Sequence, residues 1–471
     1  MDSTLLHRLL IAAGLLAFVL GVTLLRPPPT QGPFARDFEA YYAAGAVWNA
    51  GGDPWSRDVW RVERTISGVD ASRDELLPFV GPAAALPLFG ALARLPHPYA
   101  VRIWTAALFC AWGALVYFVL LIAGAVRART AAAAALFSIA AGPLTSALAL
   151  GQTALLSAAA LAGVLAALER RNLGAAIAAT FAAALQPNLA LVLAARARTR
   201  TALAAFAIAA AAFAAVTLAA GRGATGFAAY LHRLGEHGRA EAWVAIQHTP
   251  AAIAWSLGAD ASAASGAGTV IALAALVAVA VATVRARLTP LEGTLLAIAA
   301  LPLAVPFFHE HDFAIELIPL IVLAVRANGT ARALGGIAAV LVLVDWLGLA
   351  QRPPADPQIV VLGLAVACAY AALRRTPPGR ADLAAFIALG AACVVAVPLA
   401  HAFPAPTWPD ALPAAYRAPA SANASGVWGD EGRAAGLERR QPAWGALRAL
   451  PLAGCVVLGF GLVLSARYRR P

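Results

Sequence analysis

Residues 5–25 read Leu-Leu-His-Arg-Leu-Leu-Ile-Ala-Ala-Gly-Leu-Leu-Ala-Phe-Val-Leu-Gly-Val-Thr-Leu-Leu, with no charge after Arg8. A helix of that length, at ~1.5 Å per residue, spans a hydrocarbon core roughly 30 Å thick. The block is too long for an ordinary signal-peptide core, and no small-residue cleavage pattern precedes Pro27-Pro28-Pro29. The expectation is a retained first span that starts in the cytoplasm beside His7 and Arg8. The same texture recurs along all 471 residues, which are 61% hydrophobic and 13% charged. Soluble proteins average roughly half and about a quarter, so a string of water-soluble domains is excluded.

The net charge of +11 does not point to nucleic acid. All 35 basic residues are Arg, and most outside the long polar loops sit in short clusters between apolar blocks. That is how cytoplasmic turns orient a membrane protein. The clusters are Arg127/Arg129, Arg170/Arg171, Arg196/Arg198/Arg200, Arg285/Arg287, Arg326/Arg332, Arg374/Arg375/Arg380 and Arg467/Arg469/Arg470. Arg-poorer or charge-balanced joints lie between them, and residues 26–77, with six Arg and eight acidic residues, suit the external side. Alternating the two sets gives crossings near 99–125, 131–149, 153–168, 201–220, 266–284, 289–307, 313–325, 333–350, 358–373, 382–402 and 449–466. With the first span this predicts about twelve transmembrane helices, all-α, with both ends in the cytoplasm. Residues 79–95 and 173–195 break the charge alternation if they cross, and the second is interrupted at Gln186-Pro187-Asn188. Both read as re-entrant or interfacial hairpins, which a membrane tolerates where protein or a water-filled cavity covers the broken backbone. Cys110, Cys368, Cys393 and Cys455 all fall in apolar blocks without metal-ligand spacing.

Charges held at a membrane–water boundary are the informative ones. After the first span comes Arg36-Asp37-Phe38-Glu39-Ala40-Tyr41-Tyr42, continuing to Gly51-Gly52-Asp53-Pro54-Trp55. Asp37 and Tyr41 share a helix face. Read without context, Asp37 is either a carboxylate held at headgroup level for chemistry or a helix N-terminal charge beside an interfacial aromatic belt.

The order of these residues resembles glycosyltransferase family 87, the polyprenyl-phosphate-mannose-dependent mannosyltransferase group of the GT-C superfamily. Further similarities run in the family's order: Leu77-Pro78-Phe79-Val80-Gly81-Pro82, then Gly151-Gln152, Arg170-Arg171-Asn172, and Pro306-Phe307-Phe308-His309-Glu310-His311-Asp312-Phe313. The resemblance covers roughly residues 1–330, a GT-C-like transmembrane core with an external loop at 26–78. Residues 331–471 add transmembrane helices and an external polar segment at 403–447. Three places depart from the family pattern: Gln186-Pro187 where relatives often have a Lys before Pro, Val80-Gly81-Pro82, and Gln247-His248-Thr249-Pro250.

The resemblance implies a sugar, mannose foremost, carried on a polyprenyl phosphate and passed with inversion to a glycolipid or glycan hydroxyl. The active site then lies on the external, periplasmic side of the plasma (inner) membrane. Asp37 is the expected base, with His309 or His311 aligning the acceptor. Arg36 or Arg57 is expected to meet the phosphate, and Tyr41 and Tyr42 to contact sugar or prenyl. Gln152, Gln186 and Asp312 complete the expected substrate contacts. No cofactor is expected. A divalent metal on His309 and His311 with Asp312 or Glu310 is the alternative, disfavoured because two His one residue apart do not share a helix face. His232, Arg233, Glu236, His237 and Arg239 read as an interfacial helix before a catalytic set. Asp345 is a buried acid or an Arg partner, and Asn423-Ala424-Ser425 a chance match to a glycosylation acceptor. The rival class is a lipid or oligosaccharide transporter (a flippase), which would use the spans and hairpins without catalysis.

Overall fold

A computed structural model describes residues 3–23, 35–66, 74–352, 355–374 and 379–468. Arg26, Pro27-Pro28-Pro29, Arg375, Arg469 and Arg470 lie outside the described residues. The apolar blocks are helices, and no strand occurs among the described residues. The first third holds α1 (Ser3–Thr23), α2 (Arg36–Asn49), α3 (Leu86–Leu92), α4 (His97–Ala123), α5 (Ala128–Ile139) and α6 (Gly142–Leu150). The middle holds α7 (Ala154–Glu169), α8 (Leu173–Ala183), α9 (Arg200–Ala220), α10 (Gly223–Glu241), α11 (Ala261–Arg285) and α12 (Pro290–Ala304). The last third holds α13 (Leu317–Arg326), α14 (Gly329–Leu343), α15 (Asp356–Ala372), α16 (Leu383–Ala402), α17 (Ala424–Ala434) and α18 (Pro442–Tyr468).

Seven helical stretches are long and apolar enough to cross a bilayer, and the bent pair α5–α6 makes up to eight. This is a multi-pass, all-helical membrane protein. The segment expected as one crossing at 131–149 turns by 67° between α5 and α6. Gly142-Pro143 opens the second piece, where proline supplies no N–H to continue the first. The other four expected crossings are apolar helices of 16, 15, 10 and 17 residues (α7, α12, α13 and α15), at most ~26 Å at ~1.5 Å per residue.

The two segments that broke the charge alternation are short. Residues 79–95 form only a 3₁₀ turn and the 7-residue α3, about 10 Å long. α3 packs against α2 so closely that a Cβ at Gly45 would lie 2.3 Å from the Phe89 carbonyl oxygen. Residues 173–195 are the 11-residue α8, a break at Gln186, and a short helix followed by a 3₁₀ turn.

Burial sorts the bundle into an interior and a lipid face. On α7, Leu155, Ala158, Ala162 and Leu165 have no exposed surface, the small residues allowing close helix approach. α13 is buried throughout Leu317–Ala324. Val284 on α11 and Val394 on α16 are 74% and 76% exposed, a surface that only lipid covers without penalty. Arg332, read as a cytoplasmic-turn arginine, is buried and donates to Asp382 Oδ1 at 2.5 Å and to the Tyr370 carbonyl at 3.1 Å, tying α14 to α15 and α16. Asp345 takes the ion-pair alternative, with Arg352 as partner. Contacts also join the ends of the chain: α1 packs on α15, and α18 on α12 and α14.

On the opposite side, segment 403–447 clamps the first loop. Arg57 donates to the carbonyls of Pro419, Ala420 and Ala422 at 2.9–3.1 Å, and the Leu76 N–H to Glu431 Oε1 at 2.6 Å. Asn423 caps α17 and donates to Glu236 on α10, so its amide is engaged in packing. Glu39, Glu63, Glu75 and Glu431 are all at most 2% exposed around one arginine, Arg36. Burial, with Glu75 adding, pushes the Glu431 carboxyl up to about 9. A carboxyl raised in the fold stabilises it below the unfolded value of 4.5, and that contribution is lost as pH climbs through about 9. The thermal midpoint should therefore fall from pH 5 toward pH 9. Glu431→Gln, which keeps an acceptor for the Leu76 N–H, should flatten that fall and raise the midpoint at pH 8. A variant that follows the wild-type curve contradicts this.

Candidate active site

α2 starts where Ala35, in the left-handed region at φ 63°, donates its N–H to the Ala149 carbonyl at 2.9 Å. Across from it Gly151 ends α6 at φ 76°, and a Cβ there would lie 2.9 Å from the Cβ atoms of Ala35 and Phe38. Only glycine fits that approach, and the approach places the next residue, Gln152, over the start of α2. Gln152 Nε2 donates to the Asp37 carboxylate, and the Tyr41 hydroxyl donates to Gln152 Oε1 at 2.7 Å. Tyr41 is itself stacked on Phe89 at 4.8 Å, and Trp104 Nε1 donates to the Gly151 carbonyl at 2.7 Å. The Asp37–Gln152–Tyr41 chain is thus fixed by packing on three helices.

The late polar turn supplies the other wall. His309 is extended (φ −103°, ψ 171°) and residues 310–316 form 3₁₀ structure, so the α-helical objection to using both His does not apply. The His309 and His311 rings lie 5.3 Å apart, and His311 Nε2 is 3.8 Å from Asp312 Oδ1. Asp312 accepts from the His309 N–H at 2.9 Å and from Gln186 Nε2, at the α8 break, at 3.1 Å. Glu310 points the other way, toward Asp345, Arg352 and Ser146.

A third wall comes from the end of α10. Glu241 Oε2 lies 3.2 Å from His237 Nε2 and 3.6 Å from His309 Nε2, and accepts from Gln247 Nε2 at 3.2 Å. Its other oxygen accepts from Trp428 Nε1 at 2.8 Å, so segment 403–447 reaches the site. Gln247 Nε2 also lies 3.1 Å from His309 Nε2, and its own carbonyl is held at 2.8 Å by Arg448, a fully buried guanidinium from α18. α10 is both things the sequence allowed: Leu231 and Leu234 are exposed to the interface, while His237 and Glu241 are buried in the site. Glu241 is absent from the sequence reading, and Gln247 enters it only as part of a departure from the family pattern. The one available signal was the i,i+4 spacing of His237 and Glu241 on a polar helix.

Electrostatics join the walls. Burial pushes the Asp37 carboxyl up to about 7, opposed by the Gln152 hydrogen bond and Arg36 and reinforced by Glu241. Burial likewise raises Asp312 to about 7 and lowers His309 and His311. Burial also works against the charge on Glu241, but His237 and His309 outweigh it and hold that carboxylate at about 2. Because Gln152 stabilises the charged form of Asp37, Gln152→Leu should raise the Asp37 value and move the acid limb of activity up by roughly one pH unit. Tyr41→Phe, which keeps the Gln152–Asp37 bond, should move it far less. An unmoved limb in Gln152→Leu counts against Asp37 as the titrating group.

Three of the expected substrate contacts are engaged by other parts of the chain. Arg36 spends its guanidinium on Glu39 at 2.7 Å and Glu75 at 3.3 Å, Arg57 is bound to segment 403–447, and Tyr42 donates to the Leu95 carbonyl at 2.9 Å.

A buried acid–imidazole cluster of this kind, among helices that cross a membrane, is the candidate active site of a membrane protein. Residues 79–306 match the family model of Glycosyltransferase family 87. Over that stretch, just under half of its length, the chain is similar to family 87, which supports a membrane glycosyltransferase acting on a sugar donor and an acceptor. The match begins after Asp37 and ends three residues before His309. No curated protein and no solved structure matches the chain.

Proposed function

We propose that this protein moves a mannosyl unit from a polyprenyl phosphate to a hydroxyl of a glycolipid or glycan at the external face of the plasma membrane. The observation that carries the donor class is an apolar groove of about 590 Å³ between α8, α9 and the broken segment after Gln186. Pro187, Leu191, Phe206, Phe213 and Leu218 line it. Pro187 on its lining directly follows Gln186, whose amide donates to Asp312. A prenyl chain lying in the groove would carry its phosphate to the acidic pocket.

In the reaction the acceptor oxygen attacks the anomeric carbon while the C–O bond to phosphate breaks. The bonding pair leaves with the phosphate oxygen, the acceptor proton goes to Asp37, and the configuration inverts. A phosphate departs readily as an anion, so the protein's main task is a base near the working pH and a pre-set geometry. His309 and His311, on the late polar turn, line the site on the side reached by the donor phosphate. In this reading residues 1–330 carry the chemistry, and 331–471 brace it through Trp428 and Arg448. No organic cofactor takes part.

The test is purified protein in lipid vesicles with radiolabelled polyprenyl-phosphate-mannose and a cell-envelope lipid extract. Label should pass to a glycolipid. Donor movement across the vesicle without a new glycosidic bond would sink the proposal.

A further inference from the structure

We propose that His309, His311 and Asp312 form a binding site for a divalent first-row transition ion, such as Mn²⁺ or Zn²⁺, resting on the phosphate-donor reading above. One ligand atom from each of the three lies within 4.8 Å of the other two. Atoms that share a tetrahedral ion at ~2.1 Å stand ~3.4 Å apart, so closing the site takes side-chain shifts of about an ångström. The backbone allows this because His309 is extended ahead of the 3₁₀ turn, so the two rings are not held apart by α-helical spacing and lie 5.3 Å from each other. Two imidazoles and a carboxylate suit Mn²⁺ and Zn²⁺ better than the all-oxygen preference of Ca²⁺ or Mg²⁺. A further oxygen is at hand. The Gln186 amide that donates to Asp312 has its own Oε1 buried without a hydrogen-bond partner. Outside this trio, Glu241 lies 3.6 Å from His309 and supplies a charged neighbour of the kind that orients ligand imidazoles.

The second line of argument is electrostatic. A pocket that accepts an anionic phosphate needs positive charge, yet this one is walled by the carboxylates of Asp37, Asp312 and Glu241. The nearby arginines are committed. Arg36 is bound to Glu39 and Glu75, Arg57 to three carbonyls, and Arg448 to the carbonyls of Gln247 and Trp444 and to Ser256. Among the described residues no arginine is hydrogen-bonded to Asp37, His309, His311 or Asp312. An ion on the trio supplies the missing charge at the wall that Gln186 contacts, next to Pro187 of the groove lining, where the donor phosphate is placed.

The readout is ion binding by the full-length protein in lipid nanodiscs, stripped with EDTA and titrated with Mn²⁺ under electron paramagnetic resonance, with Zn²⁺ in competition. About one ion per chain is expected, lost in His311→Ala and in Asp312→Asn and retained in His232→Ala on the exposed face of α10. Thermal midpoints establish that each variant is folded, and His311→Gln serves where His311→Ala is not. Stoichiometric binding that survives in both His311 variants, or none up to about millimolar ion, overturns the site. Undiminished sugar transfer by ion-free protein also overturns it and leaves the glycosyltransferase reading standing. An ion bound as expected, with no transfer from the polyprenyl-phosphate donor, supports the site and removes the donor reading.

Discussion

Asp37→Asn should abolish transfer to within ~10²–10⁴-fold below wild type while leaving the protein folded. The size of the loss follows from the role: without a base the acceptor hydroxyl attacks as the neutral alcohol. Folding should survive because asparagine still offers an oxygen to Gln152, whose amide is held in turn by Tyr41. The wild-type pH profile is the companion measurement. Burial holds Asp37 at about 7, so the base is mostly protonated in acid and the rate should climb as pH rises through that value. Transfer that is flat between about pH 5.5 and 7.5, or an Asp37→Asn protein at wild-type rate, removes Asp37 from the mechanism.

Ala210→Trp should raise the apparent KM for a long-chain donor by about tenfold or more and leave a donor with a very short prenyl tail nearly unaffected. Ala210 lines the groove from α9, and an indole there fills space that a prenyl chain would occupy. Displacing two buried CH₂ groups costs ~1.6 kcal/mol at ~0.8 each, already more than tenfold in binding. Val394→Trp, on the lipid face of α16, is the control because Val394 is 76% exposed and outside the groove. Equal effects on long and short donors would mean the groove does not hold the prenyl chain.

The architecture was legible because apolar block length and Arg position are local features. The same is true of the pieces too short to cross: Gln186-Pro187 announces the break that α8 makes. The bend at Gly142-Pro143 was equally visible, yet it was passed over because the block's total length suited a single span. In the pocket, the meeting of Asp37, Gln152, Gln186 and Asp312 was approachable through motif order, since no local periodicity relates residues 115 or 126 apart. What stayed hidden was set by tertiary contact. An amphipathic pattern on α10 shows that one face is wet, but not that its last turn plunges into the site with Glu241. Arg36 and Arg57 looked available for phosphate because their partners, Glu75 and the carbonyls of 419–422, lie far along the chain.

Trp428 and Arg448, which hold Glu241 and the Gln247 loop, lie 391 and 411 residues after Asp37 in the chain. During biosynthesis the carboxylate wall at Asp37 is therefore inserted long before the residues that fasten the opposite wall leave the ribosome. A nascent chain stalled before α17 already owns every group proposed for chemistry and still lacks the fastening that sets their spacing.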